Sequence, residues 1–243
     1  SEFHEMRGNY FASTGNSRKD SMMRLIQQIT LLLRISAAPN TVKEYTGGMP
    51  VKIAKVMEML QEMPDQIIAI GVRHKKVVDA YSAAIRKLMP ERPLFVVTGD
   101  TTTLAQRRKL RKTLKASGNG ILLCTQQSLP SSVNFEFVNK VIIPELHYNN
   151  SRMSQFYMRF VRYTSREDKD IYFVTYLGSI ESNQMQMVLA KEKINLFMRG
   201  QEQDLDDIYK TFGVDYNLLE TLMGREENSE GVFEIRWGKQ DIS

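Results

Sequence analysis

From Leu25 to Ile35 apolar residues recur at helical spacing, and Pro39 ends that pattern. Val51 to Leu60 repeats it, with Ile53, Val56, Met57 and Leu60 on one face, until Pro64-Asp65 breaks the chain. Beyond this point short apolar runs alternate with longer amphipathic ones. Gln66–Val72, Pro93–Thr98, Gly120–Thr125, Lys140–Pro144 and Asp170–Tyr176 predict buried strands. Lys75–Met89, Thr103–Ala116, Ser151–Tyr163 and Ile180–Met198 predict helices. Strands that alternate with helices imply right-handed crossovers and an α/β fold, with a mostly parallel sheet covered by helices on both faces. In such sheets function lies outside the carboxyl ends of the strands, which directs attention to the loops after Val72, Thr98, Thr125 and Pro144. No Gly-x-Gly-x-x-Gly follows any strand, which argues against a dinucleotide-binding domain.

The chain has 243 residues, enough for one sizeable core with appendages. The pattern divides it into a polar tag or disordered segment (1–21, beginning with a scar-like Ser1–Phe3), a helical linker (22–63), an α/β lobe (64–200) and a C-terminal tail (201–243). The tail opens acidic, has Leu218, Leu219 and Leu222 at helical spacing, and holds the sole tryptophan, Trp237, for which packing on the core is the commoner outcome than a partner contact. No apolar run is long enough for a membrane span, and no signal-peptide layout opens the chain, so no membrane partner is expected. Cys124 is the only cysteine, which excludes an internal disulfide and fits a reducing cytoplasm. His4, His74 and His147 lie far apart without metal-ligand spacing, so no metal site is expected.

Charge changes the picture more. The formal net charge is +5, a balance that permits contact with phosphates. Residues 106–115 hold six cations and no acid, which reads equally well as a solvated helix face or as a phosphate contact.

The most specific segment is Val141 to Glu181. It has a strand (Val141 to Ile143), then Glu145, Tyr148 and Asn149, then Gln155, Arg159 and Arg162 in a Gln-x-x-x-Arg-x-x-Arg spacing, and after another strand Ser179-Ile180-Glu181. On one continuous helix, residues three and four apart share a face, so Gln155, Arg159 and Arg162 would project together. Two guanidiniums on one face make a fork for phosphate oxygens.

This ordered set resembles the last motif, with its flanks, of the second lobe of Swi/Snf-type superfamily-2 helicases and translocases. Other segments agree in order: Gln66 to Val72 with the opening strand of that lobe, Gly99-Asp100-Thr101 followed by Arg107 with its Gly-x-Thr/Ser…Arg stretch, and Gly120 to Phe135 with its coupling strand and loop. The likeness runs over roughly residues 65 to 200. It implies a RecA-like three-layer sandwich. It also implies that Arg162 is an arginine finger for ATP bound elsewhere, with Arg159 beside it and Gln155 helping to hold the phosphates. Arg73, His74, Gly99, Thr101, Thr125 and Ser128 would face a nucleic-acid backbone, DNA more than RNA, although a threonine in 101–103 also fits an ordinary helix N-cap.

There are departures. Leu129-Pro130 stands where the coupling loop has a glycine pair, and Ser132-Val133-Asn134-Phe135 where it has Gly-Leu-Asn-Leu. Met158 precedes the first arginine and Thr164-Ser165 follow the second in place of Gly-Gln. They mark a divergent member, such as a phage or prophage protein. No Gly-x-x-x-x-Gly-Lys-Ser/Thr loop is present, so ATP and Mg²⁺ would be held mainly by the N-terminal lobe of the same polypeptide, and this chain alone would be silent. The competing reading is a degenerate lobe that binds nucleic acid or protein without supporting turnover.

Overall fold

A computed structural model describes residues 15–99, 104–129, 134–147, 150–161, 168–185, 225–227 and 233–235. Helix α1 (Gly15–Ala37) and a 3-10 turn (Pro39–Thr41) lead to α2 (Val51–Glu62). Then follow β1 (Ile68–Val72), α3 (Lys75–Leu88), β2 (Leu94–Val97), α4 (Leu104–Ser117), β3 (Ile121–Thr125), β4 (Lys140–Ile143), α5 (Asn150–Tyr157) and β5 (Asp170–Phe173). A further helix starts at 180 and is described through 185. Strands β6 (Arg225–Glu227) and β7 (Phe233–Ile235) pair antiparallel within the tail. Trp237 and the leucines at 218–222 lie outside the described residues.

The five strands β1 to β5 form one sheet in the order β2-β3-β1-β4-β5, every pair parallel. The alternating side chains of the strands divide two cores. On one face Ile68, Ile70, Val72, Ile121, Leu123 and Ile142 meet α2 and α3 through Ile53, Val56, Leu60, Val78, Tyr81 and Ile85. On the other, Ala69, Leu122, Cys124, Val141 and Ile143 meet α4 and α5 through Leu114, Met153 and Phe156, together with Phe135, Val138 and Phe160. Helix α2 therefore shares the core of the lobe, although its segment reads as a linker in sequence. Helix α1 begins at Gly15, within the 1–21 segment, and buries Ile29 and Leu33.

Geometry requires glycine at Gly71 and Gly118, among other positions. A Cβ on Gly71 would run into the ring of Phe156, so glycine lets α5 press onto β1. Gly118, at φ 73°, ends α4 in the left-handed region. Among the described residues no helix is long and apolar enough to cross a membrane, and no group of three His, Cys, Asp or Glu is placed to hold a metal.

Candidate functional site

The strand order locates the site. The connection from β1 passes through α3 on one face toward β2, whereas that from β4 passes through α5 on the other face toward β5. Adjacent parallel strands whose connections leave in opposite directions open a crevice between their carboxyl ends. Arg73-His74 and Pro144-Glu145 stand at that crevice.

Glu145 is buried, at 2% exposure. One carboxylate oxygen accepts hydrogen bonds from the backbone N–H of Arg73 (2.6 Å) and of His74 (3.2 Å), and the other bonds Nδ1 of His74. The acid thus spans the crevice and fixes the loop that leads into α3. His74 stands at the N-cap position of α3 but makes no side-chain cap bond, its ring being committed to Glu145. The Arg73 side chain is half-buried. Gln126, directly after β3, completes the tie. Its Nε2 donates to the carbonyls of Gly71 (3.2 Å) and Glu145 (2.6 Å), and its N–H to that of Val72 (2.8 Å).

A second buried carboxylate lies at the same edge. Lys52 of α2, at 2% exposure, donates from Nζ to Glu181 (2.6 Å to Oε2) and to the carbonyl of Pro144 (3.1 Å), and its ammonium lies 5.0 Å from the Tyr176 ring centroid. Burial lowers the Lys52 pKa while the Glu181 charge opposes that shift. Burial raises the Glu181 carboxyl while Lys52 opposes it. Desolvation works against both charges, and their pairing at contact distance answers it. Tyr81, fully buried, has its hydroxyl pushed well above the ordinary range by burial first and then by the charges of Glu145 and Glu181.

The third loop cluster joins Gly99, Thr125 and Ser128. Thr125 pairs in register with Val72, next to Arg73, and its hydroxyl bonds that of Ser128. A Cβ on Gly99 would stand 3.8 Å from the Ser128 hydroxyl. Gln127 reaches His147, 3.4 Å between side-chain nitrogens, and links the loops after β3 and β4. Arg73, His74, Gly99, Thr125 and Ser128 therefore occupy one edge of the sheet. Thr101 lies outside the described residues, as do Tyr148, Asn149 and Arg162.

The arginine helix differs from expectation. Helix α5 ends at Tyr157 rather than Tyr163. Arg159 N–H bonds the Phe156 carbonyl (3.2 Å) and Phe160 N–H that of Tyr157 (3.0 Å), the tight turn that closes many helices. At this turn the Arg159 carbonyl accepts the N–H of Phe135 (3.4 Å), Phe156 and Phe160 stand edge to face at 5.3 Å, and Phe160 meets Phe135 at 6.1 Å. Gln155 is exposed on the helix, whereas Arg159 is half-buried beyond it, near enough to Cys124 for its charge to oppose the effect of burial on that thiol. The two do not share one continuous helical face. Sequence reasoning also assigned no role to Lys52 or Gln126. A lone lysine among Ile53, Val56 and Met57, and a glutamine directly after an apolar strand, were the available signals.

No protein-family model and no curated protein matches the sequence. Solved structures do match. The C-terminal part of the Fun30 ATPase domain is 16% identical with a TM-score of 0.52, over 88% of this chain and 67% of that one. The Sulfolobus solfataricus SWI2/SNF2 ATPase C-terminal domain is 18% identical with a TM-score of 0.59, over 91% of this chain and 89% of that one. The Sulfolobus solfataricus SWI2/SNF2 ATPase core in complex with dsDNA is 16% identical with a TM-score of 0.63, over 91% of this chain and 45% of that one, so the present chain spans under half of that core. At such identities the likeness is one of fold: this chain has the RecA-like fold of the C-terminal ATPase domain of SWI2/SNF2 proteins.

Proposed function

We propose that this chain is the second motor lobe of a nucleic-acid-dependent ATPase of the helicase or translocase type. The observation that carries the reading is the convergence of Arg73-His74, Gly99 and the Thr125–Ser128 turn on the carboxyl edge of an all-parallel sheet. A partly exposed cation, Arg73, and a partly exposed threonine, Thr125, on one edge suit a phosphate backbone and carry no base code, while Ser128 is buried. The ordered motif from Val141 to Glu181 and the fold likeness to SWI2/SNF2 lobes support the same assignment. DNA is the preferred partner, since a neighbour of this fold was solved in complex with dsDNA.

In this reading ATP and its Mg²⁺ sit on an N-terminal lobe of the same polypeptide. Arg162 supplies the positive charge that meets the γ-phosphate oxygens as charge spreads over them. By the resemblance Arg159 and Gln155 assist it, although the turn after Tyr157 keeps the two from sharing one helical face. Glu145 and Gln126 act indirectly, by fixing the Arg73-His74 loop.

Binding of a labelled duplex to this chain, followed by fluorescence polarisation between low and moderate salt, tests the nucleic-acid half. Affinity is expected to be sequence-independent and to fall with salt, and Arg73→Ala to weaken it uniformly and reduce the salt slope by about 1. A salt-independent affinity, or an Arg73→Ala variant indistinguishable from the parent, contradicts the reading.

A further inference from the structure

Helix α4 lies outside the crevice, and nothing in the proposed function uses it. On a helical wheel its residues separate into a buried side, centred on Leu114 and flanked by Leu110 and Arg111, and an exposed side. Arg108, Lys109, Lys112 and Lys115 all fall on the exposed side, with Lys109 and Lys112 nearest its middle. No ion pair among the described residues involves any of them. The segment packed against α4, residues 134–138, brings a single acid, Glu136, so the face keeps a clear excess of cations.

The stripe is anchored on its inner side. Arg111 donates from Nε to the carbonyl of Asn134 and lies 5.6 Å from the Phe137 ring centroid, and the Lys115 ammonium lies 6.0 Å from the same ring. These contacts fix one flank of the helix to the loop after β3 and leave the remaining cations in solvent. The face also lacks what a single-strand binder needs. Helix α4 has no aromatic residue, and Phe137 beside it is engaged by two cations rather than offered as a platform for bases.

We propose that the exposed face of α4 is a second docking surface for the phosphate backbone of duplex nucleic acid, separate from the carboxyl-edge crevice. From Arg108 to Lys115 the helix rises about 10 Å, and along that length a duplex presents on the order of six backbone charges. Arg108, Lys109 and Lys112, three solvated cations on a rigid rod with Lys115 at its end, meet such a charge density without base contacts. The inference takes its partner class from the proposed function but rests on a different surface, so the two can fail separately. A lobe that holds the duplex at both its edge and its flank keeps hold when either contact is released.

The test is the salt dependence of duplex binding by this chain, comparing the parent, a triple variant (Arg108→Gln, Lys109→Gln, Lys112→Gln) and Arg73→Ala. The three glutamines replace exposed side chains and are expected to leave the melting temperature unchanged, which circular dichroism checks. The triple variant is expected to bind every duplex sequence more weakly, with a log–log salt slope flatter by up to about 2.7, which is about 0.9 for each phosphate left without its cation. An unchanged slope overturns the proposal and leaves the face to solvent or to an acidic protein. Single strands that compete as well as duplex overturn the duplex assignment. If the triple variant is weakened while Arg73→Ala is not, this surface stands and the crevice fails. The reverse result removes this surface alone.

Discussion

The two edges of the sheet are held together by opposite chemistry. At the amino edge one half-buried cation gathers carbonyls: Arg92 donates to Leu60 (2.5 Å), Met63 (2.9 Å), Gln66 (2.8 Å) and Asn119 (2.9 Å). At the carboxyl edge a buried anion gathers amides, Glu145 accepting from Arg73 and His74. Helix polarity explains the signs. Helix C-termini with open carbonyls face the amino edge, and helix N-termini with open N–H groups face the other. The edges differ in what stays exposed. Arg92 turns inward and closes its edge. Glu145 and Gln126 tie the strand ends, and Arg73, His74 and Thr125 beside them stay partly exposed.

That contrast can be broken at either end. The largest effect is expected from Lys52→Ala, which leaves the Glu181 carboxylate buried without its partner: a loss of about 3–5 kcal/mol by urea unfolding. The pair Lys52→Met with Glu181→Leu removes both charges and should recover most of that loss. A single variant as stable as the parent would mean that the pair does not hold α2 to this edge. Next is Arg92→Ala, expected to cost about 2–3 kcal/mol, since charge-assisted bonds to otherwise open carbonyls are removed. Its effect should be confined to stability, with duplex binding by the folded fraction unchanged. Weaker binding by that fraction would erase the functional difference between the edges.

The smallest effect concerns Cys124. Burial holds its thiol well above the usual range, the Arg159 charge opposing, and its sulfur lies 3.7 Å from the carbonyl of Ile70. Labelling by a thiol reagent in native buffer should be as slow as global unfolding and become fast in denaturant. Fast native labelling would place an opening motion at the carboxyl half of β3.

The hydrophobic pattern located all five parallel strands because each is a short apolar run between helices of clear period. Their ends were less legible. Asp170–Tyr176 reads as one strand, but pairing stops at Phe173, and Tyr176 instead accepts the N–H of Lys52 through its hydroxyl. The strand order was not legible, since no single run says which neighbour it pairs with. Helix α5 was overextended because Phe156 and Phe160 also fit helical spacing, although the chain turns between them, where the Arg159 carbonyl bonds Phe135. In the site, Glu145 and Glu181 stood out as parts of an ordered motif. Their partners Arg73, His74 and Lys52 are about seventy residues or more away in sequence, and only the folded sheet brings them together.

The most direct test of the motor-lobe reading is nucleic-acid-stimulated ATP hydrolysis by the polypeptide that joins this lobe to a P-loop lobe, measured beside its Arg162→Ala variant. The account expects turnover that duplex stimulates, and a loss on the order of a hundredfold or more in the variant. Absence of turnover, or a variant as fast as the parent, contradicts it and leaves a lobe that binds without driving hydrolysis.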